Sequence, residues 1–182
     1  MADQHPDDLD ARARFEALAA EVVEPVRRFL ARRTSHDTAE DVLAETLLVC
    51  WRRLDQVPEP ALPWVYGVAR NCLANAERGD RRQHRLAARI SVVDPPREEA
   101  PEADPPDERV TAALAALRVE EAELLRLWAW EQLGPGEIAE VLGITANAVS
   151  IRLHRARGKF VEELRKIDGG AGHEGLREGR ET

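Results

Sequence analysis

The chain has 182 residues, 26 Lys and Arg against 34 Asp and Glu, a formal net charge of -8, 43% hydrophobic residues and two cysteines. This length and a charged fraction of 33% describe one or two small globular domains. Cys50 and Cys72 supply neither a disulfide scaffold nor a metal-ligand spacing, no apolar run approaches the roughly 18 residues of a membrane span, and an acidic balance argues against nucleic acid wherever the charge is uniform.

Residues 1–10 carry four Asp and no cation, so a disordered acidic tail is expected, with the ordered chain starting near Asp10. From there to Arg33, Phe15, Leu18, Val22, Val26, Phe29 and Leu30 recur at three- and four-residue steps and predict a helix with one apolar face. Pro25, which lacks a backbone donor, is expected to kink or divide it. The segment Asp37-Thr38-Ala39-Glu40 has the form of a helix start. The helix behind it turns Val42, Leu43, Thr46, Leu47, Cys50 and Leu54 inward before Pro58 and Pro60 end it. Pro63 suits the first position of a third helix, in which Trp64, Val65, Val68, Ala69, Cys72, Leu73 and Ala76 share a face. An arginine-dense polar stretch, Arg78 to Arg85, follows.

Residues 94–108 hold five Pro and seven acids, with Arg97 as the single cation. Such a stretch buries no apolar surface and its prolines favour extended backbone, so it reads as a flexible, solvated acidic linker and a domain boundary. Beyond it, helices are predicted around Val110-Leu114-Leu117, Ala122-Leu125-Leu127 with Trp128 and Trp130, Ile138-Val141-Leu142, and Val149-Leu153-Ala156-Phe160. No useful period-two alternation occurs. The expected fold is all-α: two small helical domains, 11–93 and 109–167, with a second disordered tail at 168–182.

The charges are unevenly placed. Between Gly67 and Ile90 six Arg face Glu77 and Asp80, and between Thr145 and Lys166 six cations face Glu162 and Glu163, a local net of +4 in each case. The linker holds -6 and the first ten residues -4. An acidic average thus conceals two basic surfaces suited to phosphate.

From Leu133 to Arg157 the sequence reads as two helices about a tight turn. Gly134, Pro135 and Glu137 fit the cap, first position and first-turn acid of one helix, Gly143 ends it, and Thr145 caps the next. With Val149, Leu153, Ala156 and Phe160 inward, Asn147, Ser150, Ile151, His154 and Arg155 face outward. A helix-turn-helix of this form lays its second helix in the DNA major groove, where short polar side chains reach base edges and cations hold phosphates.

The tract from Glu137-Ile138-Ala139 to Arg155-Ala156-Arg157 resembles the fourth conserved region of bacterial extracytoplasmic-function sigma factors. Asp37-Thr38-Ala39-Glu40-Asp41-Val42 through Glu45 to Trp51-Arg52, and Pro63-Trp64-Val65-Tyr66-Gly67-Val68-Ala69-Arg70-Asn71, are similar to two motifs of the family's first domain. Ala44, Leu47, Gly134 and Ser150 depart from its pattern, the last pointing to a distinctive promoter sequence. The resemblance implies a sigma factor that binds core RNA polymerase and promoter DNA in the cytoplasm, with an anti-sigma protein as a further partner and no membrane insertion of its own. It assigns polymerase binding to Asp41, Glu45, Trp51 and Arg52, although packing is the better account of Trp51. It assigns minus-10 recognition to Asn71, Asn75, Arg78, Arg81 and Arg82, where amides meet unstacked bases and arginines neutralise phosphate. It assigns minus-35 recognition to Asn147, Ser150, Ile151, Arg152, His154, Arg155 and Arg157. Trp64 and Tyr66 read as core.

An enzyme is not expected: the five His are scattered, and no Gly-rich phosphate loop or nucleophile–base pair is present. Neither a metal nor a cofactor is implied. The competing reading is an operator-binding helix-turn-helix regulator without sigma activity, which would normally add a dimer interface or ligand domain.

Overall fold

The computed structural model describes residues 6–87 and 107–174. Among these residues there are seven α-helices and no strand. They form two compact units, the first containing α1 (Pro6–Ala31), α2 (His36–Arg52) and α3 (Leu62–Ala87), the second α4 (Glu108–Ala115), α5 (Val119–Ala129), most of α6 (Pro135–Leu142) and α7 (Ala146–Glu174). No helix among the described residues is long and apolar enough to cross a membrane.

In the first unit each helix packs against the other two. Val22, Val26, Phe29 and Leu30 of α1 are fully buried, beside Val42 and Cys50 of α2 and Val65 and Ala69 of α3. Thr46 is the polar member of this core, and its hydroxyl donates to the Val42 carbonyl at 2.7 Å, so its own donor is met. Tyr66 is buried against Phe29, with ring centroids 5.1 Å apart, while Trp64 is half-buried.

Several local expectations change. The helix begins at Pro6 rather than Asp10, because proline suits a first helical turn and acids behind it complement the positive end of the helix dipole. Residues 1–5 lie outside the described chain. Pro25 does not divide α1, which is continuous to Ala31. A single lost backbone bond, costing about 3 kcal/mol, is outweighed by the burial of Val22, Val26, Phe29 and Leu30 on either side. The second helix starts earlier than Asp37: Ser35 is its N-cap residue, with its hydroxyl bonded to Thr38 Oγ1 at 3.1 Å, and Asp37 lies in the first turn. The arginine-dense stretch is no separate segment but the continuation of α3, carried by good helix formers as far as Ala87. Residues 88–106 lie outside the described residues, and with them most of the expected linker 94–108; its last two residues are instead part of the second unit, where the Asp107 carboxylate accepts the Arg109 N–H at 3.0 Å and caps α4, which starts at Glu108.

Cys50 and Cys72 are free, buried thiols. Burial, then the neighbouring Cys72, pushes the Cys50 thiol up to about 11. Burial, then the charge of Glu45, also raises Cys72. Thiolate is the reacting species, so both are expected to resist iodoacetamide at about pH 8 in the native protein and to react at once in urea. Mass spectrometry of the alkylated chain checks this, and rapid native labelling would contradict it.

In the second unit α7 packs on α4 and α5. Leu127, Ile138, Val149, Ala113 and Ala156 are fully buried. The helix α7 runs on through Asp168 to Glu174, where a disordered tail was expected from Asp168. Glycines weaken a helix by about 1 kcal/mol each, but adding residues to a long formed helix needs no new nucleus. Asp168 is also held by Arg109 Nη1 at 3.1 Å.

Candidate nucleic-acid interfaces

The helix-turn-helix is fixed at each of its joints. The Gly134 N–H donates to Glu137 Oε2 at 2.7 Å, closing the start of α6. Gly143 takes φ +65, and the Ile144 N–H reaches back to the Ala139 carbonyl at 3.1 Å, the bond that ends a helix at a left-handed residue. Thr145 Oγ1 then accepts the Ala148 N–H at 3.2 Å and starts α7. Space at Gly143 is open, so a methyl group there meets nothing and strain is purely torsional. Gly143→Ala is therefore expected to lower stability by about 1–2 kcal/mol, measured as a reduced urea midpoint with an unchanged slope.

Burial of Val149, Leu153 and Ala156 sets the rotation of α7. Asn147, Ser150, Ile151, Arg152, His154, Arg155 and Arg157 are all exposed, yet they are not equivalent. The Ser150 hydroxyl donates to the Ala146 carbonyl at 3.0 Å. The Arg157 guanidinium lies over the Trp128 ring, 4.6 Å from its centroid, and so points along the flank of α7 towards α5. There it borders an apolar groove of about 300 Å³ lined by Val110, Leu114, Leu125, Trp128, Phe160 and Val161 among others. Sequence reasoning missed this groove; its available signal was Trp128 and Trp130 at the end of one short helix. Lys159 is paired with Glu121, whose carboxyl is held below its usual range first by that hydrogen bond.

In the first unit Asn71 and Asn75 are exposed one turn apart on α3. Asn75, Arg78, Arg81 and Arg82 line an open polar cleft of about 720 Å³. Their side chains are ordered along the helix: Arg78 Nη2 donates to Asn75 Oδ1 at 2.7 Å, and the Nε groups of Arg78, Arg81 and Arg82 donate to the carbonyls of Ala74, Glu77 and Arg78 at 3.0, 3.1 and 3.2 Å. A guanidinium has five N–H donors, so each retains several for an incoming oxyanion. This is a row of cations with an amide at one end.

On α2, Asp41, Glu45 and Arg52 share one outward column, and Leu48, 53% exposed, sits among them. Sequence reasoning passed over Leu48, although its position three residues after Glu45 marks it. Trp51 lies to one side, 44% exposed and edge-on to Phe15 at 5.2 Å, so it packs and presents a face together.

The family described as "Sigma-70, region 4" matches residues 107–160. The chain is 33% identical over 137 residues to the probable RNA polymerase sigma factor RfaY of Xanthomonas campestris, covering 69% of this chain but only 34% of that protein. It is 31% identical over 129 residues to the ECF RNA polymerase sigma factor SigL of Mycobacterium tuberculosis, 65% of this chain and 70% of that one. It is 30% identical over 163 residues to the RNA polymerase sigma factor CarQ of Myxococcus xanthus, 87% of this chain and 93% of that one. Among solved structures, the sigma factor RpoE of Bartonella quintana, crystallised with the anti-sigma factor NepR, shares the fold with a TM-score of 0.61 at 21% identity, covering 83% of this chain and 96% of that one.

Proposed function

Because this chain belongs to the extracytoplasmic-function RNA polymerase sigma factors, we propose that it binds core RNA polymerase and directs initiation at promoters whose minus-10 and minus-35 elements are read by its first and second units respectively. The observation that carries this is the pairing of two cationic faces in one chain: the cleft of Asn75, Arg78, Arg81 and Arg82 on α3, and the exposed start of α7 behind a fully capped turn. A single helix-turn-helix would serve an operator-binding regulator. The arginine row on a separate unit suits an unpaired strand, whose phosphates are spaced along one path and whose bases are open to an amide.

In this reading the column of Asp41, Glu45, Leu48 and Arg52 is the polymerase-facing surface of the region 11–93, with Trp51 beside it. Asn71 and Asn75 meet flipped bases while Arg78, Arg81 and Arg82 neutralise phosphate. Asn147, Ile151, His154 and Arg155 face the minus-35 groove, with Arg152 and Arg157 on the two flanks of the helix. The acidic, proline-rich segment before Asp107 connects the two activities, and an anti-sigma protein covering both units would silence them together. No step requires a bound cofactor or a catalytic residue.

The test is reconstitution. Full-length chain plus core polymerase is offered a library of promoter fragments, and run-off transcripts are sequenced. Transcripts starting at defined sites, present only when both components are added, are expected. Sequence-specific DNA binding by the chain alone, with no transcript when core is added, would favour the regulator.

A further inference from the structure

Resting on that reading, we propose that Ile151 reads a thymine in the minus-35 element by contact with the thymine 5-methyl group. Ile151 stands in the second turn of α7 with 45% of its surface exposed. At helical spacing it lies in one column between Asn147 and Arg155, with His154 at its side, opposite the buried Val149, Leu153 and Ala156. An isoleucine there adds nothing to the core and is a poorer helix former than alanine. It is also distinct from the apolar groove on the flank of the same helix, which it does not line.

The surroundings of Ile151 select its partner. Arg152, Arg155 and Arg157 make this helix attractive to duplex phosphate, and the major groove offers one apolar feature among its base edges, the methyl group of thymine. The adjacent Ser150 has its hydroxyl proton directed at the Ala146 carbonyl, at 3.0 Å. Its one donor is thus turned to the backbone and not to an incoming base, while the Ile151 side chain beside it is open to apolar contact.

The experiment removes single methyl groups from the DNA. A minus-35 element is first selected from a randomised library with the reconstituted holoenzyme, and each of its thymines is then replaced in turn by uracil, which pairs identically but lacks the methyl. One such replacement is expected to lower open-complex formation in competition about fourfold, the worth of one buried methyl group. Ile151→Ala holoenzyme is expected to be weaker on the thymine template and blind to the same replacement. Alanine at an exposed helical site keeps the fold, which circular dichroism verifies. The proposal is overturned by an enriched element without thymine, by wild-type holoenzyme indifferent to every uracil, or by undiminished discrimination in Ile151→Ala. Transcription from the thymine template reports sigma activity separately, so these outcomes leave the sigma reading standing. Absence of any transcript would overturn both.

Discussion

Replacing Arg78, Arg81 and Arg82 together by glutamine is expected to weaken the holoenzyme's hold on melted minus-10 DNA by roughly 10²–10³-fold at about 0.05 M salt. The magnitude follows from counterion release: each phosphate neutralised on a single strand contributes about 0.7 to the slope of log affinity against log salt. Three contacts therefore account for a slope of about 2, and that slope should be missing from the variant. Glutamine is nearly as good a helix former as arginine, and these side chains are exposed, so α3 should persist. Fluorescence anisotropy on a fork-junction fragment, titrated from low to moderate salt, gives both numbers. A duplex carrying only the minus-35 element is expected to bind unchanged. An unaltered salt slope on the fork would show that this cleft does not meet the strand.

Phe29→Ala is expected to destabilise the first unit by about 3–5 kcal/mol, a large part of the 5–15 kcal/mol that holds a typical domain folded. Phe29 is fully buried, its ring meets Tyr66 at 5.1 Å, and the Arg33 guanidinium lies 3.7 Å from its centroid. Truncation leaves a cavity and also removes the aromatic face against which a cation and a second ring are placed, so neighbouring side chains cannot simply collapse inward. Phe29→Leu should cost distinctly less, since it restores most of the volume. Urea denaturation followed by circular dichroism measures the difference. Equal midpoints for wild type and Phe29→Ala would mean that the ring contributes no packing.

Much of this was legible in the sequence because it is local. The core faces of α2, α3 and α7 follow from residues three and four apart, and the helix-turn-helix of α6 and α7 follows from Gly134, Glu137, Gly143 and Thr145, at whose joints every bond spans five residues or fewer. The errors arose where a local rule met a tertiary or cooperative effect. Pro25 predicts a break only if its neighbours have nothing to bury, and the glycines beyond Asp168 predict an end only if the helix must start anew. The same holds for the candidate sites. That Ile151 and Arg155 are exposed could be read from periodicity. That Arg157 leans on Trp128 of another helix, and that the Ser150 hydroxyl bonds back to its own helix, could not, because residue spacing does not specify a side-chain torsion or a contact across 29 residues.

The ion pair between Arg109 and Asp168 has a mechanical meaning. Asp168 stands 21 residues after Asn147 on one unbroken helix, a span of about 30 Å at 1.5 Å per residue. Arg109 in turn is tied to Asp107, the first described residue of the second unit. The α7 helix is thus a rod with the proposed reading face at one end and, near the other, a heel latched to the start of α4. Being exposed, the latch is weak and salt-sensitive. Rising salt would therefore loosen the last turns of the helix first and leave its start, held by the buried Val149, Leu153 and Ala156, in place.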